Sequence, residues 1–294
     1  MRFTTINDNI HFLTENNFMM LPLNNILVPV DFTHISTHAV RQAKDLARRS
    51  GAHLILFHAY HRPMVPAEVE PDVETSLMKK RTRNVDSRFK ELEKIIPDLK
   101  DVSFTCHKNL GKATDSIAKA VEKYNIDLIL MGTKGAHGFE ELWGSNAAKV
   151  VEKVDCPVLV LPEDTDISQI QKIGVACDFN QKRQYHHFNI LTYLAKIYNA
   201  TVNIIFVSSN SRDQYPKEFK DVVRIHNMLE EVSHSFDYIY HKNVEDGLVN
   251  YCKNNNIGLL TVITKSKSFF TKLFDESLTK QMVYHIDVPL LIIK

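Results

Sequence analysis

No apolar run in this chain approaches the roughly 20 residues that a bilayer-spanning helix needs, so no membrane segment is expected. Cysteine is scarce: Cys106, Cys156, Cys177 and Cys252 stand far apart with no C-x-x-C pair. That spacing argues against a disulfide framework or a cysteine zinc site and suits reduced thiols in a cytoplasm. Neither sign of charge predominates, with Lys+Arg 36 against Asp+Glu 35 and a net charge of +1. There is thus no bulk electrostatic case for nucleic acid or an anionic membrane as partner, and a ligand must be held locally. The chain also lacks G-x-x-x-x-G-K-[ST], G-x-G-x-x-G after a first strand, G-x-S-x-G and paired carboxylates at a helical spacing. Hydrolysing a phosphoanhydride takes a metal and a positioned water. With no residues to assign to either, binding without turnover is the expectation.

What is present is a cluster of glycines. The chain has only 9, and Gly132, Gly135, Gly138 and Gly144 fall within one short stretch. An apolar run, Leu128 to Met131, leads into them, and Ala147, Val150, Val151 and Val154 then form one helical stripe with Ser145 or Asn146 placed to cap it. A strand, a glycine loop and a helix start in that order make an anion site, because backbone without Cβ approaches a ligand closely and the first helical amides add free donors.

The organisation is one unit used twice. Asn25-Ile-Leu-Val-Pro-Val-Asp31-Phe32 matches Lys172-Ile-Gly-Val-Ala-Cys-Asp178-Phe179. Ala52 to Phe57 then matches Ala200 to Ile205, His107-Lys-Asn109 matches His241-Lys-Asn243, Tyr124 to Leu128 matches Asn255 to Leu259, and Cys156 to Leu161 matches Val288 to Ile293. Ordered matches of this kind indicate an internal duplication, and their shrinking offset puts the shortening in the middle of the second copy. Expected boundaries are an N-terminal extension over 1–22, a first domain over 23–163, a linker over 164–170 and a second domain over 171–294. The extension lacks a basic segment followed by an apolar one, so it is expected to be frayed rather than a signal peptide. Within the first copy the spacing predicts strands at 26–30, 54–59, 102–107 and 127–131. Helices fall between them, the first striped by Ala39, Ala43, Leu46 and Ala47 and stopped by Gly51. Near-continuous apolar strands joined by helices give an α/β fold with two tandem doubly wound parallel sheets, and ligands in such sheets sit at the carboxyl ends of the strands.

These residues resemble the universal stress protein family over about residues 24 to 294. The first copy carries Pro29-Val-Asp31, then Gly132-Thr-Lys-Gly135, Gly144-Ser145 and Cys156-Pro-Val-Leu-Val160, in that family's order. The resemblance implies ATP, with or without Mg2+, as ligand. It places Asp31 and Pro29 by the adenosine, Ala59 on the base, and Met131, Gly132, Gly135, Gly144, Ser145 and Asn146 around the phosphates. It also implies pairing of the two final strands into an internal pseudo-dimer, a homodimer being the alternative assembly, and a sensor or regulatory role toward a protein partner. Between Gly135 and Gly144 lie eight residues where the family has nine, so adenosine and ribose contacts are expected to carry much of the affinity. The second copy keeps nine between Ser266 and Glu276 but has no glycine there. Glu276 would set a negative charge in the phosphate path, so nucleotide is expected in the first domain only.

Other candidates have plainer readings beside them. Asp31 before Phe32-Thr33 also suits a helix cap, and Asp178 suits one better. His34 and His38 stand one turn apart but lack a third metal ligand, and His186-His187 point apart on a helix. Lys134 and His137 are equally placed for phosphate or solvent, Trp143 reads as packing, and Lys265, Lys267 and Lys272 read as wet surface.

Overall fold

The β-branched and leucine-rich runs of the first copy become five strands: β1 (Asn25–Pro29), β2 (His53–Tyr60), β3 (Phe104–Leu110), β4 (Leu128–Thr133) and β5 (Val158–Pro162). Helices join them: α1 (His34–Ser50), α2 (Pro71–Ile95), α3 (Ala113–Lys123) and α4 (Ser145–Lys153). The computed structural model describes residues 23–62, 71–133, 145–176, 188–208, 219–263 and 288–294. These form two units, one of Leu23–Asp164 and one that includes Thr165–Lys294. The second unit holds β6 (Lys172–Ala176), α5 (Phe188–Tyr198), β7 (Thr201–Ser208), α6 (Phe219–Met228), β8 (His234–Tyr240), α7 (Val244–Asn255), β9 (Leu259–Ile263) and β10 (Leu290–Ile293).

Every strand pairing within each unit is parallel. The first unit runs β3-β2-β1-β4-β5 and the second β10-β9-β6-β7-β8, the same order read from the other edge. The duplication read from scattered residue matches is therefore a duplication of topology. Sheet register also shows where the copies differ. Leu54 of β2 pairs with Phe104, while its counterpart Val202 of β7 pairs with His234. The offset thus falls between the second and third strands of the copy, in the crossover that carries α2 in one unit and the shorter α6 in the other. One sequence match is corrected by the same register: His107 aligns with Asp237 and not with His241, because it pairs with Phe57 as Asp237 pairs with Ile205. The two His-Lys-Asn triplets are coincident in sequence, and the second lies beyond the end of its strand.

Burial follows the predicted stripes. Ala39, Val40, Ala43, Leu46 and Ala47 of α1 face the sheet, and the helix ends at Gly51, whose φ of 75 is left-handed and whose amide returns to the Ala47 carbonyl. Lys44 is buried on the same helix and pairs with Asp98 and, at 3.3 Å, with Asp45. Arg48 adds contacts to Asp98 and Asp101, tying α1 to the turn at Pro97–Asp101. A buried ammonium persists only when so paired. In the second unit a polar cluster sits beneath α7, where Asp237 Oδ2 accepts from Asn203 Nδ2 at 3.3 Å, Ser235 Oγ at 2.9 Å and Tyr251 OH at 2.7 Å. Burial, and then the hydrogen bond to Asp237, push the Tyr251 phenol up and keep its proton in place. Tyr251→Phe removes one of the three donors to a carboxylate at little cost in volume. It is expected to lower stability by about 1–2 kcal/mol, read as a lower urea midpoint; an unchanged midpoint would mean that water replaces the phenol.

Candidate functional site

Strand β1 lies between β2 and β4, so the chain leaves it toward β2 on one side and returns to β4 on the other. A crevice opens at the carboxyl end of β1 wherever strand order reverses in this way. Pro29 is the last residue of β1, and the Val30 amide still donates to the Phe57 carbonyl of β2 at 2.8 Å. Asp31 is the first residue free of the sheet. Its Oδ1 accepts from the Thr33 amide at 3.0 Å and the Thr33 hydroxyl at 2.6 Å, while its own amide donates to Ser36 Oγ at 3.3 Å. Thr33 Oγ1 in turn accepts the Ser36 amide as the cap of α1. Asp31 is thus both exposed at the crevice and built into the cap. Partial burial pushes its carboxyl up, but the hydrogen bonds from Thr33 and Ser36 outweigh that and hold it below the usual carboxylate range.

Between Asp31 and Thr33 the backbone turns through Phe32 at φ 64, a left-handed conformation that a bulky residue seldom adopts. The side chain is gripped on several sides. Its ring centroid lies 4.8 Å from that of His58 and 5.0 Å from that of Phe89, edge to face, and the Arg88 guanidinium stands 4.5 Å over it. His58 Nδ1 faces the Val30 carbonyl at 2.6 Å and must carry the hydrogen, since the carbonyl only accepts. Burial, aided by Arg88 and Arg81, pushes the His58 pKa down, so the ring is neutral near pH 7. Ala59 follows, half-buried near the end of β2.

Across the crevice, Met131 is buried in β4 and Gly132 abuts the first turn of α1. A Cβ on Gly132 would stand 2.6 Å from Ile35 Cγ2 and 2.7 Å from the Ile35 carbonyl oxygen. The first need for glycine here is therefore the approach of strand to helix, a reason the loop motif did not suggest. Gly135 and Gly144 lie outside the described residues, as do Lys134, His137 and Trp143. Ser145 and Asn146 open α4, with their side chains outside the description, and Ala147, Val150, Val151 and Val154 are buried as their spacing predicts. In the second unit Asp178, His186, His187 and the loop carrying Lys265, Ser266, Lys267, Lys272 and Glu276 lie outside the described residues.

The structure brings Pro29, Asp31, Ala59, Met131 and Gly132 to the carboxyl ends of three adjacent strands. It does not join His34 and His38 into a metal pair: His34 Nδ1 meets Glu163 Oε1 at 3.0 Å, and no group of three or more metal ligands occurs among the described residues. Phe32, Ser36 and Arg88 were missed from the sequence. The first two had a local signal in the cap spacing; Arg88 had none, its helix being brought in by the fold.

Residues 22–162 match the model of the Universal stress protein family. The "Universal stress protein in QAH/OAS sulfhydrylase 3'region" of Thermus aquaticus is 30% identical over 141 residues, covering 46% of this chain and 96% of that protein. Universal stress protein A homolog 1 of Coxiella burnetii is 28% identical over 137 residues, covering 47% and 94%. Among solved structures, a universal stress protein from Archaeoglobus fulgidus is similar in fold, with a TM-score of 0.73 at 17% identity over 93% of this chain and 99% of that one. Among the described residues no helix is long and apolar enough to cross a membrane.

Two measurements check this geometry. Gly132→Ala forces a Cβ against α1 backbone and is expected to destabilise by about 1–3 kcal/mol in urea unfolding, as overpacking does; an unchanged midpoint would mean that the helix slides away freely. The second concerns pH. Because the folded pKa of His58 lies below its ordinary 6.5, the unfolded chain takes up the proton first and stability declines as pH falls below that value. His58→Gln is expected to flatten the loss between pH 7 and pH 5, measured as thermal midpoints across that range.

Proposed function

The chain belongs to the universal stress protein family, and on that premise we propose that its first unit binds one adenine nucleotide in the crevice at the ends of β1, β2 and β4. The observation that carries the reading is Asp31: a carboxylate held ionised and exposed at the point where strand order reverses, aimed by the cap of α1. Ribose hydroxyls are natural donors to it, and the backbone around Ala59 offers a wall for the base. The phosphates fall to Met131, Gly132, Gly135, Gly144, Ser145 and Asn146, because the amides that open α4 point out of the helix and carry its positive dipole end. Mg2+ accompanies the triphosphate only as its counterion in this reading. The second unit serves as a degenerate partner, and the protein acts as a cytoplasmic sensor or regulatory module whose contacts with another protein depend on the nucleotide. Chemistry has no assigned base or metal, so ATP is held without rapid hydrolysis.

A second reading has one observation in its favour. The contact of Gly132 with Ile35 gives that glycine a purpose without any ligand, as an interaction module that binds no nucleotide would require.

Titration calorimetry with ATP, ADP and adenosine separates the readings. The expected result is roughly one site per chain, with Asp31→Ala weakening ATP and adenosine alike by about 10- to 100-fold, the loss of a hydrogen bond to a charged group. No binding at millimolar ATP selects the second reading, and two equal sites overturn the assignment to one unit. Phosphate release faster than about one per second would make the protein an enzyme.

A further inference from the structure

At the amino-terminal edge of the second unit's sheet, the edge opposite its carboxyl strand ends, two imidazoles meet nitrogen to nitrogen. His226 lies in the last turn of α6 and His234 opens β8. His226 Nδ1 and His234 Nε2 are 2.9 Å apart, with ring centroids at 5.0 Å and planes inclined by 57°. His234 Nδ1 is 2.9 Å from the Val232 carbonyl, which can only accept, so its hydrogen sits on Nδ1 and Nε2 presents a lone pair toward His226. This is how a metal-binding histidine is oriented, its far nitrogen fixed by a carbonyl and its near one bare. Either the proton of His226 Nδ1 occupies the space between the rings or a cation does. Zinc at about 2.0–2.1 Å from each of two tetrahedral nitrogens sets them about 3.3 Å apart, so a few tenths of an ångström of ring movement admits it.

We propose that His226 and His234 form a binding site for a divalent transition cation of the zinc class, with water completing the coordination. The duplication supplies an independent observation. By sheet register the position of His234 is held in the first unit by Phe104, so a residue that there contributes only carbon is here an imidazole aimed at another imidazole. Two further features agree. His226 sits at the carboxyl end of α6, where the helix dipole favours a cation. The pair is partly exposed, which leaves an entry path. Glu230 lies in the turn between the two histidines and its charge reaches His226, while Glu231 is taken by Lys196. Among the described residues no group of three or more His, Cys, Asp or Glu is placed to hold a metal, so the two imidazoles are the protein ligands of this proposal.

The test is calorimetry of the full chain with ZnCl2, with MgCl2 as control. The chain has 14 histidines, so the site is assigned by difference. Wild type is expected to take up one Zn2+ more than His226→Asn, and to gain about 3–6 °C in thermal midpoint at tenfold the dissociation constant. His226→Asn and His234→Asn should each lose that gain, and a chelator should reverse it in wild type. Ring-nitrogen NMR gives a readout that does not depend on how stable the variants are: on adding Zn2+ the His234 Nε2 signal moves to a metal-bound shift while Nδ1 keeps its proton. Equal zinc uptake by wild type and His226→Asn, or an unmoved Nε2 signal, would overturn the site and leave a simple proton-shared pair.

Discussion

The contact on which the first unit's site depends is the one between Gly132 and Ile35. Strand β4 and helix α1 come together with no room for a Cβ between them, and interiors packed to crystalline density do not absorb such an intrusion cheaply. This closeness fixes the start of α1 relative to β4. The start of α1 in turn carries Thr33 and Ser36, and these hold Asp31. A small residue deep in a strand therefore determines where a carboxylate at the surface points, through one helix turn and four hydrogen-bonding groups.

Asp31 shows why its cap role and the proposed ligand contact do not compete. A carboxylate has two oxygens and several lone pairs, and the cap uses chiefly one of them. The same hydrogen bonds that order the helix start keep the acid ionised and restrict its rotamers. Neighbouring Phe32 bears the backbone cost of the turn, and the rings of His58 and Phe89, with Arg88 above, hold it there. Strain of this kind survives only where surrounding contacts over-determine it.

Much of the fold could be read from residue order because its causes are local. The α1 stripe, its Gly51 stop, the apolar strands and the helix after Ser145 each follow from periodicity or from one backbone conformation. The duplication was legible too, although matching triplets misaligned His107 with His241 where only hydrogen-bond register could decide. The reasons behind site residues were less legible. Gly132 reads as a loop glycine until Ile35, distant in sequence, is seen against it. Arg88 reads as one basic residue among many on α2 until Phe32 is found beneath it. Such facts belong to tertiary contact, and no window of sequence contains them. The proposed phosphate contacts of Gly135 and Gly144, and of the side chains of Ser145 and Asn146, rest on motif and resemblance.

The unequal crossovers, α2 in one unit and the shorter α6 in the other, say something about how such a fold tolerates change. A parallel connection has only to leave one end of the sheet and return at the other, and its closure entropy grows as the logarithm of its length. Residues can be gained or lost there without disturbing strand order, whereas a single methyl group at Gly132 cannot be added without moving a helix. Two copies of one architecture can thus drift far apart in length at this crossover while every strand keeps its neighbours.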